Sequence, residues 1–223
     1  MAATRDDIRQ LFENHGEPDV FDWVEEVLDR IDQRAETHPD EPKAVAEILV
    51  GDQTVEDVKL PSPYIYIVDG SLRGRNLDFG TDVYEQSLVI VMGDVEAVNF
   101  KFDSGANVFI KGDLKLRGAL FGHHGDGGAD LYCQMLRARA VLLDHVTGLN
   151  AREIDAVVCS AEGWGLPMHV DYNGAGHAEL FVPEILDEGS LRIEPAWAHA
   201  TAGGDVFLPG AWEKLRATQI EPL

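Results

Sequence analysis

Apolar and polar residues alternate in short runs between residues 64 and 143, and the runs recur at a nearly fixed interval. Each run leads into an equivalent position, and these positions lie 23, 19 and 22 residues apart: Gly70, Gly93, Gly112 and Gln134. Around them four strings align without an internal gap, from Gly70-Ser71-Leu72-Arg73-Gly74 to Gln134-Met135-Leu136-Arg137-Ala138. Alternation with a period of two predicts strands, and repetition at about 20 residues is typical of a solenoid.

Stacked rungs of a solenoid bury apolar side chains that one rung alone would leave exposed. The alignment predicts one inner column of Leu72, Val95, Leu114 and Leu136, and a second of Phe79, Phe102, Phe121 and Leu143. A degenerate turn over residues 149–159 extends the repeat. We therefore predict a mainly β fold, a single-chain parallel β-solenoid (β-helix) of about four to five rungs. An antiparallel sandwich, which also has short strands, is the alternative.

Helical periodicity precedes the repeat. Thr4 with Asp7 forms a capping-box pattern, and Pro18 starts a longer helix. The apolar stripe of that second helix consists of Val20, Val24, Val27, Leu28 and Ile31. A short third helix is predicted over residues 43–49, and a connector over residues 52–63. The predicted organisation is an acidic α-helical segment (1–60), the β-solenoid (61–163) and an irregular C-terminal cap (164–223). The two flanking segments are expected to cover the bare sheet edges at the solenoid ends.

Acidic residues dominate the charge of the chain. The formal net charge is −22, from 40 acidic and 18 basic residues. Residues 1–60 contain 17 of the acidic and 6 of the basic residues, a net charge of −11. Such a surface repels nucleic acid and anionic membranes, so we expect neither as a partner. The main hypothesis is a non-enzymatic interaction or scaffold protein whose protein partner has a basic surface. One specific form is an immunity-type inhibitor of a basic toxin.

Histidines suggest a different function class. Five of them fall within 55 residues: His123, His124, His145, His169 and His177. The alignment matches Gly122-His123 with Asp144-His145, so stacking would place His123 over His145 and near Asp144. Imidazoles with a carboxylate suit zinc or iron, and the alternative hypothesis is a metal-binding protein or metal-dependent enzyme. Its ligands would be His123, His145, Asp144 and His169. An acid–base role of His145 with Asp144, or histidines that only bond to turns, also remains open.

The remaining motifs add little chemistry. The glycine-rich loop from Gly122 to Gly128 lacks the lysine and hydroxyl residues of a phosphate-binding loop, and no serine lies in a Gly-x-Ser-x-Gly motif. Cys133 and Cys159 lie in apolar runs and are expected to be buried, non-catalytic thiols. With no apolar signal core or membrane-length apolar run, a cytoplasmic location is expected. The main hypothesis needs no cofactor.

The Gly-Asp-Val/Leu-x-Ala/Leu strings resemble the rungs of bactofilin-type, polymer-forming proteins. More closely, they resemble a loosely defined set of uncharacterised bacterial β-solenoid proteins in which such a rung precedes a Tyr-Gly-His loop. The corresponding loop here is Phe121-Gly122-His123-His124-Gly125. The resemblance covers about residues 64–160 and implies a parallel β-helix that polymerises end to end. The few, irregular rungs and long flanking segments depart from that pattern and favour a monomer or small homo-oligomer over a self-assembling structural protein.

Overall fold

A computed structural model describes residues 2–40, 42–81, 85–123, 128–144, 148–174 and 176–218. Two helices precede the β region, α1 (Arg5–Asn14) and α2 (Pro18–Thr37). Thr4 and Asp7 form the capping box that the sequence predicts, because each side chain accepts the backbone N–H of the other residue. Short helices follow the β region: α3 (His177–Leu180), a 3₁₀ turn (Pro183–Ile185), α4 (Ile193–Thr201) and α5 (Ala211–Ala217).

The described residues form seventeen strands. In chain order they are β1 (Ala46–Val50), β2 (Gln53–Thr54), β3 (Asp57–Lys59), β4 (Ile65–Asp69), β5 (Leu72–Arg73), β6 (Asn76–Phe79), β7 (Ser87–Val91), β8 (Val95–Ala97), β9 (Asn99–Asp103), β10 (Ala106–Ile110), β11 (Leu114–Leu116), β12 (Ala119–His123), β13 (Asp130–Leu143), β14 (Gly148–Ser160), β15 (His169–Asp171), β16 (Leu186–Asp187) and β17 (Ser190–Leu191). The last two form a small antiparallel pair.

The first fifteen strands coil into a parallel solenoid with three faces. Face 1 consists of β1, β4, β7 and β10, face 2 of β2, β5, β8 and β11, and face 3 of β3, β6, β9 and β12. The long strands β13 and β14 pass through all three faces, and β15 adds to face 3. We number the rungs from β1–β3 (rung 1) through β4–β6, β7–β9 and β10–β12 to β13 (rung 5) and β14 (rung 6). The predicted parallel β-solenoid with an N-terminal helical segment is confirmed, and the C-terminal segment that was predicted to be irregular contains short helices.

The inner columns test the predicted alignment. Leu72, Val95, Leu114 and Leu136 are neighbours in successive rungs and fully buried, as predicted. The second column departs from the prediction at rung 4, where Gly122 rather than Phe121 lies beside Phe102 and Leu143. The turn from face 2 to face 3 is one residue longer in that rung, because Ala97 to Phe100 corresponds to Leu116 to Leu120. Phe121 therefore points outward.

Rung 1 is a correction to the predicted organisation. β1 occupies residues 46–50, where a helix over residues 43–49 was predicted, and β2 and β3 lie within the predicted connector. Gln53 is the neighbour of Leu72, so Gly51 lies one rung before Gly70. Gly51 and Gly70 are as far apart in sequence as Gly93 and Gly112. The repeat could therefore have been extended to Gly51-Asp52 from the sequence alone.

The flanking segments cover two faces and one end. Helices α1 and α2 pack on the outer side of face 1, where Phe12 lies 5.4 Å from Phe109 between ring centroids. The C-terminal region packs on the outer side of face 3, with Phe121 5.4 Å from Trp197. After rung 6, Trp164 and Leu166 pack against the inner core. The N-terminal helices thus lie along a face, and they leave most of rung 1 open.

Candidate functional site

His123 and Asp144 are the two predicted site residues that the structure brings together. His123 ends β12, and Asp144 directly follows β13. Because the extra residue in rung 4 shifts the register, Gly122 lies beside Leu143, and the predicted match of Gly122 with Asp144 is wrong. The Nδ1 atom of His123 contacts the Oδ2 atom of Asp144. His145 itself lies outside the described residues.

This contact controls the protonation of His123. The hydrogen bond to Asp144 raises the pKa of the imidazole, while partial burial opposes the rise. Asp103, the neighbour of His123 in rung 3, and Glu194 on α4 raise the pKa further. Since Nδ1 faces the buried carboxylate, Nε2 is the ring nitrogen left to exchange a proton or to bind a ligand. The His123 side chain is 39% exposed, so solvent reaches it.

A buried ion network lies next to this pair on face 3. Lys101 places its Nζ atom 3.1 Å from Asp103, 3.1 Å from Glu194 and 3.6 Å from Asp78. Burial opposes the charge of Lys101, but the three carboxylates outweigh it and raise the lysine pKa. Burial also raises the pKa of Asp103, against the effect of Lys101. The network ties α4 to the solenoid, because Glu194 and Trp197 of α4 both contact Lys101.

A cavity of about 270 Å³ borders the network, with Lys59, Ser62 and Thr81 in its wall. Sequence analysis missed Lys101, although a lysine between two phenylalanines in an alternating strand is a visible signal. Its contact with Glu194 spans 93 residues and cannot be read from the repeat. Asp78 and Asp103 each accept a further backbone N–H besides their contact with Lys101, and the arrangement is typical of a structural ion network.

The predicted metal ligands are not gathered in the described part of the chain. His169 lies on β15 beside Val158, whose side chain belongs to the inner core, whereas His123 lies on the outer side of face 3. Among the described residues, no group of three or more histidine, cysteine, aspartate or glutamate side chains could hold a metal ion. His123 and Asp144 supply two ligands, and structural zinc sites use four.

The two cysteines are buried free thiols. Burial raises the pKa of Cys133 and of Cys159 to about 12, so both stay protonated at neutral pH. The nearest imidazole to Cys159 is His177, with 3.9 Å between Sγ and Nε2. Nδ1 of His177 accepts the Leu191 N–H, and Nε2 bonds to the Asp171 carbonyl at 2.6 Å. Both ring nitrogens are therefore engaged in structural bonds, and the pair is not a catalytic dyad.

Rung 1 presents a different candidate, an open sheet edge. In the described part of the chain, β1, β2 and β3 each have a single neighbouring strand. The Ala3 N–H reaches the Ala46 carbonyl at one end of β1. The most exposed large apolar side chains of the described residues are Val45, directly before this strand, at 66%, and Val50, its last residue, at 78%. An unpaired strand with exposed apolar residues is a template for binding another chain.

Acidic groups surround the open edge. Rung 1 carries four carboxylates and one lysine: Glu47, Asp52, Glu56, Asp57 and Lys59. The acidic surface of the helices is partly neutralised, and so is that of rung 1. Arg5 bonds to both Asp29 and Asp32 at 2.6 Å, and Arg9 bonds to Glu25 at 2.9 Å. In rung 1, Arg75 bonds to Asp57 at 2.5 Å and lies 3.9 Å from Glu56. Among the described residues, Glu47 and Asp52 are the rung 1 carboxylates that no basic side chain offsets.

No protein-family model matches the chain, and neither a curated protein nor a solved structure matches it. Within the described residues, none of the helices is both long enough and apolar enough to cross a membrane.

Proposed function

We propose that this chain is a non-enzymatic interaction protein that binds a protein with a basic surface through the open edge of rung 1. The observation that supports the proposal is the coincidence, in one rung, of unpaired backbone, two exposed valines and an excess of carboxylates. The valines offer apolar contact area, and the carboxylates attract and orient a positively charged partner. A basic toxin held by an immunity-type inhibitor is one such partner.

The charge of the whole chain strengthens the proposal. A net charge of −22 attracts a basic protein over distances longer than a hydrogen bond and raises the rate of encounter. Salt screens exposed charges within about 8 Å at physiological ionic strength, so binding should weaken as salt rises. Neither cysteine forms a disulfide. Free thiols are typical of the reducing cytoplasm, which is the location that we propose.

Charge reversal at rung 1 tests the proposal. Glu47 and Glu56 are exposed, and the double variant Glu47→Lys/Glu56→Lys removes acidic charge from the open edge. Glu179→Lys/Glu213→Lys changes the net charge equally at exposed positions in the C-terminal region. We expect the natural chain and the C-terminal variant to capture the same basic protein from a lysate of the source cells at low salt. The rung 1 variant should not capture it, and high salt should release it.

Equal capture by both double variants would show that total charge, rather than rung 1, binds the partner. Failure to recover any basic protein at low salt would remove the main support for the proposal.

Metal binding at His123 and Asp144 is our second candidate, and their direct contact is the observation that favours it. Zinc or iron would take Nε2 of His123 and a carboxylate oxygen as ligands, and would need further donors. Elemental analysis of purified protein should then find bound metal, and His123→Ala should lose it. A metal-free protein whose melting temperature does not change with added zinc or iron would exclude this candidate.

A further inference from the structure

We infer that Glu47 selects what binds the open edge: it admits a strand that carries a lysine or arginine over it, and it rejects a second copy of this chain. The identity of the strand as part of a basic protein rests on the proposed function. The exclusion of a second copy does not, because it follows from the position of Glu47 alone.

Glu47 lies in an inner column of the solenoid. Its neighbour in rung 2 is Tyr66, and Tyr66 is followed by Val89. The same column continues through apolar residues to rung 6: Val108, Leu131 and Leu149. Side chains at equivalent positions of parallel strands share a face, so the Glu47 carboxylate stands where the other five rungs have an apolar or aromatic side chain. The alternate residue, Ile48, packs beneath the helices, which confirms this orientation.

A bound strand would bury this carboxylate. Glu47 is exposed, and it has no hydrogen-bond or ion-pair partner among the described residues. Covering an isolated carboxylate with apolar surface is costly unless a cation or hydrogen-bond donors accompany it. An inward-pointing charge at a sheet edge is one device by which proteins prevent edge-to-edge association. A second copy brings its own Glu47 and rung 1 carboxylates, so it adds repulsion to this cost.

A strand from a basic partner avoids both penalties. Beyond the Ala46 carbonyl, which accepts the Ala3 N–H, the outer N–H and C=O groups of β1 can pair with an extended segment. This is the β-augmentation mode of peptide recognition. A lysine or arginine over Glu47 would neutralise the carboxylate as water leaves. The exposed side chain of Val50, the last residue of β1, lies on the Ile48 face of the strand and offers the same segment a separate apolar contact.

Replacing the charge tests the exclusion without any partner. Glu47→Leu completes the apolar column, and Glu47→Val is a second form with the β-branched shape that strands favour. Glu56→Leu removes the same charge from the same end at an exposed position between β2 and β3. In sedimentation equilibrium, we expect the Glu47 variants to dimerise at least about tenfold more tightly than the natural chain, because an apolar column end replaces a buried charge. Glu56→Leu should behave like the natural chain.

If both Glu47 variants stay as monomeric as the natural chain, or if Glu56→Leu dimerises equally, the inference is wrong. The partner is tested separately with the basic protein captured by the natural chain, once purified. Glu47→Gln should weaken its binding about tenfold, because the pair with the cation is lost, and Glu56→Gln should weaken it much less. Equal losses would contradict a cation over Glu47. Absence of any captured partner would count against the proposed function, while the dimerisation result would still stand.

Discussion

The two ends of the solenoid are finished in opposite ways. After rung 6, β15 pairs with β14, and Trp164 and Leu166 pack on the inner core. Leu149, the residue at which the inner column ends there, is therefore only 4% exposed. Before rung 2, the same column ends at the exposed Glu47, and the strands of rung 1 have no further neighbour in the described part of the chain. One end is closed by the chain itself, and the other is protected by a charge.

This difference bears on self-assembly. Same-direction stacking of copies, as the resemblance to polymer-forming proteins implies, needs the last rung of one copy to meet the first rung of the next. Here β15 and the Trp164 segment occupy part of the last rung, and Glu47 opposes burial of the first. If Glu47 excludes a second copy as inferred, we expect one partner at the open end and no growth by simple repetition.

The largest difference in the free energy of unfolding is expected between substitutions at the two ends of one inner column. Leu149→Ala should lower the free energy of unfolding by about 2–4 kcal/mol, because it leaves a cavity in a packed core. Glu47→Ala, at the other end of the same column, should change it by less than about 0.5 kcal/mol, because the side chain is exposed and unpartnered. Urea unfolding followed by circular dichroism measures both. Similar losses would mean that the ends do not differ as described.

A smaller effect is expected where the C-terminal segment closes the last rung. Trp164 is partly buried against the inner core, and its indole N–H donates to the Ser160 hydroxyl at 2.8 Å. Trp164→Ala should therefore cost about 2 kcal/mol, less than a fully buried tryptophan. Trp164→Phe keeps most of the contact area and should cost about 1 kcal/mol, mainly from the lost hydrogen bond. The order of these two variants in urea unfolding checks the role of the segment.

The repeat could be predicted from the sequence because Leu72, Val95 and Leu114 recur beside glycines at nearly constant spacing. Rung 1 was missed because Glu47 breaks the apolar pattern where the inner column ends, and only Gly51-Asp52 keeps the repeat signal. The register at His123 was wrong because one extra residue in a turn leaves no trace in the strand pattern. In both cases the sequence rule failed where the chain departs from its own repeat, which is common at strained or functional positions.

A modest pH dependence is expected next to the closed end, between rungs 4 and 5. The contact with Asp144 raises the folded-state pKa of His123 above its ordinary value of 6.5. The stabilisation is therefore fully present below about pH 6.5, and it is lost as the pH rises through the folded-state pKa. Because the imidazole is more than a third exposed, the effect should stay below about 1 kcal/mol. His123→Gln should be less stable than the natural chain at about pH 5.5 and nearly equal at about pH 8.5.

A substitution of Glu47, at the other end of the solenoid, is the control for this measurement. Glu47→Gln should show no such dependence between these pH values, because it leaves the contact of His123 with Asp144 unchanged. A His123→Gln difference that grows with pH would reverse the sign and contradict the proposed ion pair.

The smallest effect on stability is expected at Val50, and it separates folding from binding at the open edge. Val50 is 78% exposed, so Val50→Ser should change the free energy of unfolding by less than about 0.5 kcal/mol. The same change removes apolar contact area at the end of β1, so it should weaken binding of the captured partner severalfold. Unfolding and binding measured on one preparation decide the matter. A loss of stability with unchanged binding would show that Val50 belongs to the fold, and the open edge would then be less open than its exposure indicates.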